Sequence, residues 1–140
     1  MIHHRTLAIL GLALTLASSA TNAATAAAKT YPAGIFAIAG QVVAPKEVLD
    51  ARAIPDLRGK PSLMVTLSPA AAAAVKAAAG DAPRLPCTLD GKLVGDSAAT
   101  TLISDHVLQL SGDFGSYDAT AALARRISGR DPLPDTEGDE

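Results

Sequence analysis

The 140-residue chain has no tryptophan, two phenylalanines and two tyrosines, which leaves little aromatic surface on which a base or a sugar ring would stack. It has one cysteine, Cys87, so no internal disulfide can form even in an oxidising compartment, and packing alone must hold the core. Positive charge is not in excess: 12 Lys and Arg stand against 14 Asp and Glu, which argues against nucleic acid as a partner. No paired Cys/His spacing suits zinc. The scattered Asp81, Asp90, Asp96, Asp105 and Asp113 do not form a calcium loop, and Arg58-Gly59-Lys60-Pro61 lacks the first glycine and the Ser/Thr of a phosphate-binding loop. No cofactor and no metal site are expected.

Long apolar runs are scarce too. The one near the start, residues 6–17, is about a dozen residues long, whereas a membrane-spanning helix needs roughly 20. It follows the basic Arg5 and leads into Ser18-Ser19, the order of a cleavable export signal. Small residues permit cleavage after Ala20, Ala23 or Ala26; cleavage after Ala23 is favoured, making residues 1–23 the signal peptide. No cysteine lies near these positions to carry a lipid anchor. The expected product has 117 of the 140 residues, with no membrane span and one domain. Loss of Arg5 leaves 11 basic against 14 acidic residues, and His106 becomes the only histidine. The expected location is the periplasm, or outside the cell if the host has no outer membrane.

Residues 24–32 lack periodicity and read as a flexible lead-in. Residues 131–140 are proline-bearing and acidic, the composition of a disordered tail whose role is solubility or, alternatively, binding. Between them, residues 33–130 form the expected domain. Residues 35–43 read as a strand closed by Pro45, residues 48–54 as an irregular strand, and residues 62–67 as a strand with Leu63, Val65 and Leu67 on one face. Residues 57–61 have turn chemistry. Ser68, Pro69 and Gly80 punctuate an alanine-rich helix at cap, first turn and exit. Asp90-Gly91 joins residues 85–89 and 92–94 as a two-residue hairpin, so Asp90 reads as a turn former. Residues 101–103 are ambiguous and 106–110 read as a strand. A second helix begins at Ser116 and stops at Gly129, with Ala119, Leu123 and Ile127 as its buried stripe. The fold class is α+β: a small, mainly antiparallel sheet with two helices packed on one face.

The stretch Leu89-Asp90-Gly91-Lys92-Leu93-Val94, then Leu110-Ser111-Gly112-Asp113-Phe114, Leu123-Ala124, Ile127, Gly129 and Leu133-Pro134, resembles the head subdomain of the first periplasmic domain of the SecD/SecDF protein-export subunits. Those proteins carry a DGK-V hairpin, an I-x-G-x-F strand end, an A-x-x-L-A helix and a closing G-x-LP. Here no proline follows the hairpin, where residues 97–99 stand. The helix alanine falls at Ala119 or Thr120, and one extra residue precedes Leu133-Pro134. Proton-driven export needs membrane helices with ionisable residues, so the resemblance implies only a freestanding, non-enzymatic module that contacts exported polypeptide or the translocon.

The candidate contact loop is residues 111–117, with Phe114, Ser116 and Tyr117 as candidate polypeptide-contact residues; for Phe114 a core position is the alternative. Contact by strand addition at a sheet edge would need no particular sequence. The competing reading is a small periplasmic hydrolase or lyase using His106 with Asp105 or Asp113. The sequence leaves the oligomeric state open.

Overall fold

In the computed structural model the described residues are 29–135, without the side chains of residues 101, 103 and 104. The signal peptide, residues 24–28 of the lead-in and residues 136–140 of the tail lie outside them.

The elements run β1 (Phe36–Ile38), β2 (Gln41–Val43), a 3₁₀ turn (Pro45–Glu47), β3 (Val48–Pro55), β4 (Pro61–Leu67), α1 (Pro69–Ala79), β5 (Arg84–Leu89), β6 (Lys92–Ala98), α2 (Ala99–Asp105), β7 (Val107–Leu110) and α3 (Tyr117–Ser128). The class is α+β, with every strand pair antiparallel. The strands form two sheets, ordered β2-β1-β5-β6 and β3-β4-β7, rather than the single sheet expected, and a third helix, α2, occupies the ambiguous stretch.

The strand expected over residues 35–43 is a hairpin. Ala39 (φ 49°) and Gly40 (φ 81°) both take positive φ, and Ile38 pairs with Gln41 across them, which is the two-residue turn that matches strand twist. Asp90 (φ 52°) and Gly91 (φ 80°) make the same turn between β5 and β6, as the dipeptide predicts. Helix α1 starts where its punctuation says: Ser68 Oγ accepts the Ala71 amide at 3.1 Å, and the Gly80 amide closes on the Lys76 carbonyl. Helix α3 is capped by Ser116, whose Oγ accepts from the Ala119 amide at 3.1 Å, and ends at Gly129 in the left-handed region.

The buried side of α3 differs from the expected stripe. Thr120, Ala124 and Ile127 are buried, while Ala119 faces solvent and Leu123 is half-buried. Thr120 enters the core because its hydroxyl donates to the Ser116 carbonyl at 2.8 Å, which removes the penalty of burying it.

One continuous core includes Phe36 and Ile38 of β1, Leu63, Val65 and Leu67 of β4, Leu85, Cys87 and Leu89 of β5, and Leu108 and Leu110 of β7. It also takes Val75 of α1 and Ile127 of α3. Helix α3 packs across β3 and β4, while α1 packs on α2, β2 and β4.

Both flanks of the domain are fastened by specific bonds. The Tyr31 amide donates to the Gly129 carbonyl and the Gly34 amide to that of Arg126, each at 2.9 Å. On the C-terminal side, where a solvated tail was expected, residues 131–135 make directed contacts. The Leu133 amide donates to Asp50 Oδ1 at 2.8 Å. Arg52 bridges Asp50 Oδ2 at 2.6 Å and Asp135 at 2.7 Å, and donates to the Leu133 carbonyl. The half-buried Asp50–Arg52 pair on β3 gives this acidic segment a place to bind that composition alone does not reveal.

Candidate functional site

Among the described residues the two sheets share one backbone bridge. The Asp96 amide of β6 donates to the Ser111 carbonyl at 3.1 Å, and the Ser111 amide returns a bond to the Asp96 carbonyl at 2.8 Å. Missing side chains allow this approach. A Cβ on Gly95 would stand 2.7 Å from the Ser111 carbonyl oxygen, and one on Gly112 would stand 3.0 Å from that of Val94. The Phe114 ring lies 3.3 Å from both of those positions and is half-buried against the core.

On either side of the bridge the strands part, and a cleft of about 430 Å³ opens, lined by Asp56, Leu57, Arg58, Lys60, Arg84, Ser97, Ala98, Gln109 and Ser111. Strand β7 presents backbone to it. Leu67 donates its amide to the His106 carbonyl, and Ser62 Oγ donates to the Leu110 carbonyl, so residues 106 and 110 face β4. Alternation along the strand then turns the amide and carbonyl of Gln109, like those of Ser111, toward β6 and the cleft.

The rim is the β3–β4 turn. Asp56 Oδ1 accepts the backbone amides of Lys60 at 2.9 Å and Arg58 at 2.7 Å, and these bonds, Lys60's foremost, hold its carboxyl below the usual range. The turn thereby displays Leu57, fully exposed, beside the exposed Arg58 and Lys60. Tyr117, the first residue of α3, donates its hydroxyl to the Gly59 carbonyl at 3.2 Å, which ties the helix to this turn. Across the cleft Arg84 pairs with Asp96 at 2.5 Å. Each holds the other charged: the Asp96 carboxyl is lowered and the Arg84 guanidinium raised, chiefly by that hydrogen bond.

Of the residues expected to touch a partner, Tyr117 stands 43% exposed beside the rim turn. Ser116 is exposed, with its hydroxyl engaged in capping α3. Phe114 supports the sheet junction from within. In the sequence Leu57, Arg58 and Lys60 show only turn chemistry and an incomplete phosphate-loop pattern, and Arg84 has no local signal at all. A leucine inside a tight turn, followed by two cations within three residues, is the signal that points to the turn residues, since such a leucine has nothing to bury it.

The arrangement imagined for a hydrolase does not assemble around His106 and Asp113. His106 ends α2 in the left-handed region (φ 55°), whereas Asp113 lies beyond the far end of β7 and accepts the Gly115 amide at 3.3 Å. The four residues of β7 between them span roughly 13 Å. Among the described residues no three His, Cys, Asp or Glu side chains are placed to hold a metal ion. Cys87 is fully buried, and its thiol donates weakly to the Leu85 carbonyl at 3.6 Å. Its pKa is pushed up to about 12, first by desolvation and then by the negative charge of Asp96, the opposite of what a thiol nucleophile needs.

Among the described residues no helix is long and apolar enough to cross a membrane. No protein-family model matches the chain, and no curated protein matches it. Solved structures do. A crystal structure of SecDF in a super-membrane-facing form superposes with a TM-score of 0.52 and 22% identity over 66% of this chain. A second structure, described as a membrane component SecDF that enhances protein export, gives 0.51 and 21% over 67% of the chain. The match spans 12% of the first protein's length and 44% of the second's. At this identity the likeness speaks to architecture, and it agrees with the motifs around Asp90-Gly91-Lys92 and Gly112-Asp113-Phe114: this chain carries a fold found as one part of SecDF.

Proposed function

We propose that the chain is an exported, periplasmic, non-enzymatic module of protein export that contacts extended polypeptide at the cleft between β6 and β7. The observation that carries this reading is the β7 edge. The strand is laddered to β4 on one side and, among the described residues, is bridged to β6 only through the Asp96–Ser111 pair just past its end, while the backbone of Gln109 turns into an open cleft. An extended segment laid there gains main-chain hydrogen bonds whatever its sequence, which is the recognition a varied set of exported chains requires. The SecDF-like fold supports the placement in export, since SecDF is a membrane component that enhances that process. Leu57 and Tyr117 add apolar contact at the rim, and Phe114 and Ser116 set the junction and the helix start that carry it.

The test is photocrosslinking in intact cells from a photoreactive residue at Leu57, with the same residue at the exposed Ala78 of α1 as control. Capture of many different exported chains from position 57 and none from position 78 is the expected result. Equal capture at both positions, or one envelope protein and nothing else, contradicts it.

A further inference from the structure

We propose that this cleft prefers extended segments rich in Asp and Glu, a preference that rests on the polypeptide reading above and adds a selectivity to it. The cleft is lined by three cations, Arg58, Lys60 and Arg84, and by one acid, Asp56, while a second acid, Asp96, pairs with Arg84. Both acids are engaged. Asp56 is turned onto the Arg58 and Lys60 backbone amides that close its own turn, and Asp96 is held by Arg84. Neither Arg58 nor Lys60 takes part in an ion pair among the described residues, and both are exposed on a turn that tight hydrogen bonding keeps in one conformation. Arg84 spends Nε and Nη2 on Asp96, and a guanidinium has five N–H donors, so it keeps donors for a second carboxylate.

Strand addition at β7 makes these charges selective. Side chains at i and i+2 of an added strand project to the same face, so acids at alternate positions present a row of carboxylates to a rim of fixed cations. A basic segment meets like charge at the same places, and a neutral one gains only the main-chain bonds. Because the rim is exposed, the preference is salt-sensitive over a Debye length of about 8–10 Å and modest for each pair.

The experiment uses three fluorescent peptides of equal length, alternating Val or Thr with Glu, Gln or Lys, read by anisotropy against the protein at low salt. The Glu peptide is expected to bind about tenfold tighter than the Gln peptide, consistent with two or three exposed pairs, with the Lys peptide weakest and the gap closing as salt is raised. The double variant Arg58→Glu/Lys60→Glu removes the advantage of the Glu peptide. Lys46→Glu/Lys76→Glu, an equal charge change away from the cleft, keeps it, and circular dichroism confirms that both variants fold. Equal binding of the Glu and Gln peptides, or a gap that survives the Arg58/Lys60 change, overturns the acidic preference and leaves the polypeptide reading standing. Failure of every peptide to bind overturns that reading, and binding of phosphatidylglycerol vesicles in place of peptide overturns both by assigning the rim to a lipid surface.

Discussion

The junction of the two sheets and the clamp at the domain's ends achieve the same thing, close fastening of distant chain segments, by opposite chemistry. At the junction, β6 meets β7 because Gly95 and Gly112 have no side chain, and a Cβ at either would meet a carbonyl oxygen at 2.7 or 3.0 Å. At the clamp, polar side chains do the fastening. Asp90 Oδ1 accepts the Ile35 amide at 2.8 Å, and Oδ2 takes Arg126 at 2.5 Å. Arg130 caps the Pro45 and Val48 carbonyls. The clamp lies largely in solvent, where each ion pair contributes little. At the junction Gly95 is half-buried and Ser111 and Gly112 are exposed, but the atoms an added Cβ would meet are main-chain carbonyl oxygens, which cannot swing aside as a side chain does. Failure at the junction is therefore expected to be global, and failure at the clamp local.

The comparison is tested hardest at Gly95. Gly95→Ala drives a methyl onto the Ser111 backbone and is expected to cost about 3 kcal/mol, read as a shift of the denaturation midpoint without change of slope, with Gly112→Ala costing less. An unchanged midpoint for Gly95→Ala would mean the sheets part easily, and the distinction fails. Next comes Asp90→Ala, which leaves the Ile35 amide without its acceptor and puts alanine at positive φ; the expected loss is about 2 kcal/mol. Asp90→Asn, which tolerates that conformation, should recover part of it. Equal losses for the two would shift the importance of Asp90 from its turn geometry to its charge.

Cys87, opposite Gly95 in the β5–β6 register, gives the junction a pH signature. Its thiol stays protonated in the folded protein up to about 12 but ionises near 9.0 once exposed. Between those values the unfolded chain binds fewer protons than the native one. Stability contributed by the buried thiol is thus complete below about pH 9 and falls as pH rises toward 12, by about 1 to 2 kcal/mol at pH 10.5. Denaturation curves of Cys87→Ala should show a flatter decline over that window, and an identical decline would contradict the burial argument. The smallest effect is a gain: Ala39→Asn suits the left-handed position of its turn better than alanine, and should add about 0.5 kcal/mol to thermal stability.

Legibility followed the same division. Features that depend on a residue's own conformational preference were readable: Asp90-Gly91 as a hairpin, Ser68-Pro69 and Gly80 bounding α1, Ser116 and Gly129 bounding α3. What depends on a distant neighbour was not. Ala39 takes positive φ because β1 and β2 both pair within the sheet, and nothing in alanine announces it. Thr120 rather than Ala119 lies on the face of α3 that packs on β3 and β4, its hydroxyl satisfied by the Ser116 carbonyl. Residues 131–135 look like tail until Asp50 and Arg52 supply partners. At the site, the loop that carries Tyr117 is legible as a loop, whereas the turn chemistry of residues 57–61 does not reveal the cleft that the turn borders.

The most direct test is amide hydrogen exchange with and without a saturating extended peptide. Protection concentrated at Gln109 and residues 57–60, with the rest of the domain unchanged, is the predicted result. Protection at another sheet edge, such as that around Val42 of β2, or no change at Gln109 would contradict the assignment of the β7 cleft as the place where polypeptide is held.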